Sequence, residues 1–202
     1  MTQWGLVGGW LILWFLVGAV PFGYVLGKVI YGTDLRQYGS RNIGATNAAR
    51  TFGMKFGLAV LVMDGLKGWA GVVLAMQWFP HDAVIIGLTG TAAMWGHVFS
   101  PFLRFRGGKG VATGLGAALM LDWKTALLAV AGFAVVVVPL RIVSLASLAG
   151  MLALIVSLWA RHHMTYLWVF GLPTVAVSLW AHRANWVRLL RGQEPRFGRR
   201  TQ

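Results

Sequence analysis

Three cations and three glycines fall within the seven residues Arg104–Gly110 of the stretch RFRGGKGVATG, directly ahead of an apolar run. Such a stretch can hold an anion. A glycine turn leading into a helix start at about Val111 aims backbone N–H groups and the positive end of the helix dipole at the ligand, and Lys109 adds a full charge. Arg106, Gly107, Gly108, Lys109 and Gly110 are therefore candidate phosphate-binding residues. The loop is not of the Walker A type, because Gly110 follows Lys109 where that motif places Ser or Thr, so no magnesium-binding hydroxyl is in position. A juxtamembrane turn would carry the same cations, but three glycines in four residues suit close backbone approach better than a plain junction.

A second polar stretch reads DLRQYGSRNIGATNAAR, Asp34–Arg50. If Ala45–Arg50 is helical, Thr46, Asn47 and Arg50 stand at i, i+1 and i+4, and hydroxyl, amide and guanidinium can converge. Ser40 and Asn42 precede them, and Gly39-Ser40 and Gly44 are expected to offer unpaired N–H groups. An interfacial loop rich in arginine would look similar. A third group comprises Arg141, Ser144 and Ser147 at i, i+3 spacing, and His182, Arg183, Asn185 and Arg188 at the end of the last apolar run. Ser144 and Ser147 can be ligand donors or packing hydroxyls bonded to backbone. His182 and Arg183 can serve a site or complement a helix C-terminus.

The elements that must carry these residues are membrane helices. Of the 202 residues 57% are hydrophobic and 11% charged, with mean hydropathy +0.67, against about 25% charged in a soluble domain. The net charge of +13 flanks apolar stretches and forms no basic face on a polar domain, so anionic lipid and phosphorylated substrates are the expected partners, and nucleic acid is not. Without cysteine there is no disulfide, no thiolate metal site and no thioester-forming nucleophile. No grouping of His and carboxylates has metal-ligand spacing, so neither metal nor cofactor is expected; adjacent His162 and His163 diverge on a helix. The first run lacks a basic leader region and reads as a retained span.

Runs long enough to cross about 30 Å of hydrocarbon are Trp4–Ile30, Met54–Phe79, Ala83–Leu103, Thr125–Leu140, Ile142–Ala160 and Met164–Ala181; Val111–Leu121 is a shorter seventh. Arg36, Arg41, Arg50 and Lys55, then Arg104, Arg106 and Lys109, then the C-terminal arginines share one side only with seven crossings. The positive-inside bias then predicts an all-α, seven-helix bundle with the N-terminus outside and the C-terminus cytoplasmic. Residues 1–197 read as one membrane domain and 198–202 as a basic tail. Asp64 and Lys67, deep in the second run at i, i+3, are expected to face inward and pair.

The ordered set GSRNIGATNAAR, GHVFSPFLRFRGGKGVAT, RIVSLAS and HRANWVRLLRGQE, spread between apolar spans, resembles the bacterial acyl-phosphate:glycerol-3-phosphate acyltransferases of the PlsY type, from about Gly18 to Phe197. One departure is Arg106, where the family often has Lys. The resemblance implies transfer of a fatty acyl group from acyl phosphate to the 1-hydroxyl of glycerol 3-phosphate, at the cytoplasmic face of a bacterial inner membrane. It also implies an upstream enzyme that supplies acyl phosphate. Two phosphates must then be held side by side, for which the glycine loop is one cradle and Arg50 with Ser40 and Asn42 a second. The proton acceptor is either His182 or a phosphate oxygen of the donor. Asn185 would orient His182 or bind glycerol hydroxyls, and Ser144 and Ser147 would donate to a phosphate or to the oxyanion. A transporter of a phosphorylated small molecule is the alternative, although its site would need access from both sides. A thioester-dependent acyltransferase would carry an H-x4-D pair, which this chain lacks.

Overall fold

The computed structural model describes residues 3–198, and among them every regular element is helical. Of the tail expected at 198–202, only Gly198 lies within the described residues. Six helical segments are long and apolar enough to cross a membrane: Trp4–Tyr31, Met54–Trp78, Ala83–Leu103, Trp123–Leu140, Val143–Ala160 and Met164–Ala181. Each matches an expected run within two residues, because segment length and apolarity are read along the chain.

The first segment is two helices, α1 (Gln3–Ala19) and α2 (Phe22–Tyr31), broken at Pro21. Proline supplies no N–H, so carbonyls near the break lose their helical partners, and in an apolar bundle they must find others. Ser100 Oγ donates to Ala19 O at 2.6 Å and Lys67 Nζ to Val20 O at 2.9 Å. The short α3 (Ala45–Phe52) then leads through Gly53 into α4 (Met54–Trp78), and α5 (Ala83–Val98) returns.

The helix that matters most for the site is α6 (Val111–Leu121), eleven residues or about 16 Å long. Asp122 caps the following helix, α7 (Trp123–Leu140, 18 residues), by accepting from Lys124 N–H, so α6 ends where α7 begins. Measured along α7, the start of α6 stops about 10 Å short of the opposite end of the bundle. The glycine loop therefore descends into the bundle to meet it. Close packing with α4 holds α6 there: a Cβ on Gly68 would run into Thr113 O, and one on Gly116 into Gly65 O. Small residues permit this backbone approach where no hydrophobic effect drives helices together. At the Asp122 end, Arg161 Nε (2.7 Å) and Thr125 Oγ1 (2.7 Å) donate to the Asp122 carboxylate, and Thr125 also meets Ser157 of α8 (Val143–Ala160) at 2.7 Å. His163 Nε2 lies 3.5 Å from the same carboxylate.

The chain continues as α9 (Met164–Tyr166), a π-helical turn (Leu167–Gly171) and α10 (Leu172–Ala181), then bends at His182 into α11 (Arg183–Leu190). The apolar core gathers Val72, Ala117, Leu121, Leu154, Leu158 and Phe170.

Candidate active site

Asn47 organises the first polar loop. Its amide nitrogen donates to Leu35 O (3.2 Å), Tyr38 O (3.0 Å) and Asn42 O (2.9 Å), and its oxygen accepts from Ser40 N–H at 2.9 Å. Asn42 Oδ1 in turn accepts from Gly44 N–H at 2.9 Å. The expectation of unpaired N–H groups at Ser40 and Gly44 is thus corrected: a buried loop satisfies its own donors first. The loop so folded places Ser40, Asn42, Thr46, Asn47 and Arg50 on the wall of one cavity. Arg50 also donates to Pro195 O at 3.1 Å. Burial draws its pKa down, with Glu194 opposing and Arg188 adding to the fall; a guanidinium remains charged at neutral pH.

The glycine loop is held from beneath by a buried triad. Lys67 Nζ lies 2.9 Å from Asp64 Oδ1 and 2.8 Å from His97 Nδ1, while Asp64 Oδ1 is 3.5 Å from that nitrogen. The expected Asp64–Lys67 pair is therefore present, and His97 joins it. The loop pairs with the last turn of α5, Gly107 N–H donating to Val98 O and Gly108 N–H to His97 O, both at 3.0 Å. A Cβ on Gly108 would collide with His97 Nε2, and one on Gly107 with His97 O. These two glycines are required for packing, and their N–H groups are engaged within the protein. Gly110, at φ +79°, turns the chain into α6, whose first residues, Val111 and Ala112, line the cavity with Lys109 and Gly110. Arg106 is exposed and lies off the cavity wall, as do Gly107 and Gly108. Lys109 is pushed from 10.5 down to about 8, chiefly by burial; Glu194 opposes the fall and Arg188 and Arg50 add to it.

The third group closes the cavity. His182 is 1% exposed, and its Nδ1 lies 2.7 Å from Ser178 O. A carbonyl only accepts, so Nδ1 carries the proton and Nε2 is the unprotonated nitrogen. Ser178 Oγ donates to Lys109 O at 2.8 Å, tying the glycine loop to the helix that carries His182. Burial, aided by the Lys109 charge, lowers His182 to about 4 against weaker opposition from Ser178 O and Glu194. The imidazole is accordingly neutral at physiological pH. Ser147 Oγ donates to Val143 O at 2.9 Å, while Ser144 Oγ donates to Glu194 Oε1 at 2.7 Å. Asn185 Nδ2 donates to the same oxygen at 2.6 Å and Arg188 Nε to Glu194 Oε2 at 2.8 Å. Burial alone would raise the Glu194 pKa, but these donors and the Arg188 charge hold it below the usual carboxylate range.

The sequence reading did not assign Glu194 to the site, although it is the chain's sole glutamate and stands within the last motif. It also missed His97 and Ser178. Their signal was weak, because a histidine or serine in an apolar run reads equally well as packing.

Residues of all three groups line one cavity of about 390 Å³. At its polar end Lys109, Arg50, Ser40, Ser144, Ser147, His182 and Asn185 come together, and at the other it is lined by Leu115, Val130, Phe133, Met151, Leu154 and Phe170. Among the described residues no cluster of three or more His or carboxylate side chains could hold a metal ion. A cationic patch beside apolar lining, set among membrane-length helices, defines an integral membrane protein with an anion-binding cavity. The family described as glycerol-3-phosphate acyltransferase matches residues 8–192. Proteins named glycerol-3-phosphate acyltransferase from Acaryochloris marina (38% identity, 99% of this chain and 96% of the relative) and Fusobacterium nucleatum (39%, 93% and 96%) are similar throughout. The crystal structure of PlsY, an integral membrane glycerol 3-phosphate acyltransferase, superposes in its glycerol 3-phosphate form with TM-score 0.90 at 35% identity over 95% of this chain and 96% of that one. Its lysophosphatidic acid form gives 0.88 at 34% over 95% of each. The chain belongs to the glycerol-3-phosphate acyltransferase family.

Proposed function

We propose that this chain, as one membrane domain over residues 1–197, transfers a fatty acyl group from acyl phosphate to the 1-hydroxyl of glycerol 3-phosphate. The products are lysophosphatidic acid and phosphate. The observation that carries the reading is the single cavity in which Lys109 and Arg50 face an unprotonated His182 nitrogen and an apolar arm runs on from them. Two phosphates brought together repel, and the cations with the start of α6 offset that repulsion. Ser40, Asn42 and Thr46 lie beside Arg50 as one cradle; Lys109, Gly110 and the α6 N-terminus form the other. Asn47 supports the first cradle through its loop bonds, and Gly107 and Gly108 support the second by shaping and anchoring its loop, while Arg106 stands exposed outside it.

In the reaction the hydroxyl oxygen bonds to the acyl carbon and the bond from that carbon to the phosphate oxygen breaks. The hydroxyl proton must leave at the same time. Burial and the Lys109 charge draw the His182 pKa down to about 4, which disfavours its protonated form, whereas the departing phosphate gains basicity as the bond to the acyl carbon breaks. The proton therefore passes to the departing phosphate, giving hydrogen phosphate, while His182 Nε2 accepts a hydrogen bond that orients the hydroxyl. Ser144, Ser147 and Asn185 supply donors to phosphate or to the oxyanion once substrate draws them from their present partners.

The same reading sets seven crossings, with α6 and its descending loop together completing the fourth, the N-terminus outside, and the polar mouth at the cytoplasmic face of a bacterial cell membrane. An upstream enzyme that makes acyl phosphate is the implied partner. The purified protein given acyl phosphate, acyl-CoA or acyl-carrier protein with labelled glycerol 3-phosphate should form lysophosphatidic acid from acyl phosphate alone. Equal use of a thioester would refute the donor assignment.

A further inference from the structure

One carbonyl of the glycine loop is held by a side chain from a distant helix. Gly110 is the N-cap of α6, and its own carbonyl enters the helical ladder by accepting from Gly114 N–H at 2.7 Å. The Lys109 carbonyl, one residue earlier, belongs to the loop. Up to Gly108 the loop is tied to α5 through Val98 O and His97 O, so the Lys109–Gly110 peptide stands between those ties and the helix. Gly110 sits at φ +79°, and a residue without Cβ reaches positive and negative φ about equally well. Backbone sterics alone therefore do not fix the direction in which this peptide faces.

Ser178 of α10 fixes it. Its Oγ donates to Lys109 O at 2.8 Å, and the residue is 2% exposed. A buried carbonyl holds such a partner because leaving it unpaired is costly. The backbone of the same residue holds the second group of the site: Ser178 O lies 2.7 Å from His182 Nδ1 and also accepts from His182 N–H at 3.0 Å. One residue thus grips Lys109 through its hydroxyl and His182 through its carbonyl, and all three line the cavity.

We infer that Ser178 is a positioning residue that sets the register between Lys109 and His182, an inference that rests on the acyl-transfer reading above. In that reading Lys109 holds a substrate phosphate and His182 Nε2 orients the attacking hydroxyl. The bond that forms lies between the groups these two residues hold, and a misplacement of about 1 Å costs on the order of 10²-fold in rate. Ser178→Ala removes the hydroxyl and frees the Lys109–Gly110 peptide to turn. The carbonyl at position 178 remains, and with it the bond that fixes the His182 tautomer.

The test is kcat of the full-length purified enzyme at saturating acyl phosphate and glycerol 3-phosphate, with Tm measured on each variant. Ser178→Ala should lower kcat by about tenfold or more, and Ser178→Thr, which keeps the hydroxyl, should stay within about threefold of the wild type. In a Lys109→Ala background Ser178→Ala should cost less than about threefold further, because the group it positions is gone. Ser157→Ala measures a purely structural loss: it removes a buried hydroxyl bonded to Thr125 at the Asp122 end of the bundle, and should lower Tm while leaving kcat within about twofold. Ser178→Cys, which keeps the volume with a weaker donor, enters the same cycle if the alanine variant does not fold. A variant at 178 with wild-type kcat, or with the same fractional loss whether or not Lys109 is present, would overturn the inference while wild-type transfer from acyl phosphate leaves the acyl-transfer reading intact. A wild-type enzyme unable to use acyl phosphate would remove both.

Discussion

Replacement of Lys109 by alanine tests the polar end of the cavity most directly. Lys109 lies buried on the cavity wall, and burial draws its pKa from 10.5 down to about 8 against opposition from Glu194. A phosphate held against Lys109 supplies the missing counter-charge through a charge-assisted hydrogen bond. Lys109→Ala should then lower kcat/KM by about 10²–10³, the range for losing one charged or oxyanion-binding donor from a desolvated site. Lys55→Ala, at the exposed first turn of α4, should change it by less than about twofold, because a solvated cation without a bound partner is screened. Both variants are assayed for lysophosphatidic acid and for released phosphate at subsaturating glycerol 3-phosphate, with circular dichroism as a folding check. Lys109→Ala within threefold of the wild type, or Lys55→Ala falling as far, would refute the assignment of Lys109 to a substrate phosphate.

The same lysine predicts a pH profile. Its charge is present below about 8 and lost above it, so kcat/KM should fall on the alkaline side of pH 8. In Lys109→Arg that limb should vanish from whatever activity remains; a limb that persists would place the titration elsewhere. Glu194 accepts from Ser144, Asn185 and Arg188, and Glu194→Gln should lower Tm by about 5 °C at pH 7. Its folded pKa is depressed below 4.5, so the wild-type advantage is full above pH 4.5 and shrinks as pH falls through the folded value. A gap in Tm that is independent of pH would argue against a paired carboxylate. Reporter fusions should place the N-terminus outside and the C-terminus inside, and both termini on one side would exclude seven crossings.

Much of the helical framework was determined by the sequence alone. Six membrane-length segments and the short Val111–Leu121 helix could be bounded within two residues, because apolar length is a one-dimensional property that the bilayer thickness converts directly into structure. The inward pairing of Asp64 with Lys67 was legible too, since i, i+3 neighbours share a face and isolated charges in hydrocarbon are costly. Tertiary structure decided which polar groups face the cavity and which are engaged elsewhere. Arg106 and Lys109 stand three residues apart in one motif, yet the first points away and the second in, because the loop is pinned through His97 and Ser178. Asn47, a candidate ligand by spacing, instead holds its loop together through bonds to Leu35, Tyr38, Ser40 and Asn42. Glu194 meets Ser144 across 50 residues, and Arg50 meets the Pro195 carbonyl across 145. Periodicity and spacing carry no information about such partners: they become neighbours only when α3, α8 and α11 have packed around the start of a helix too short to cross alone.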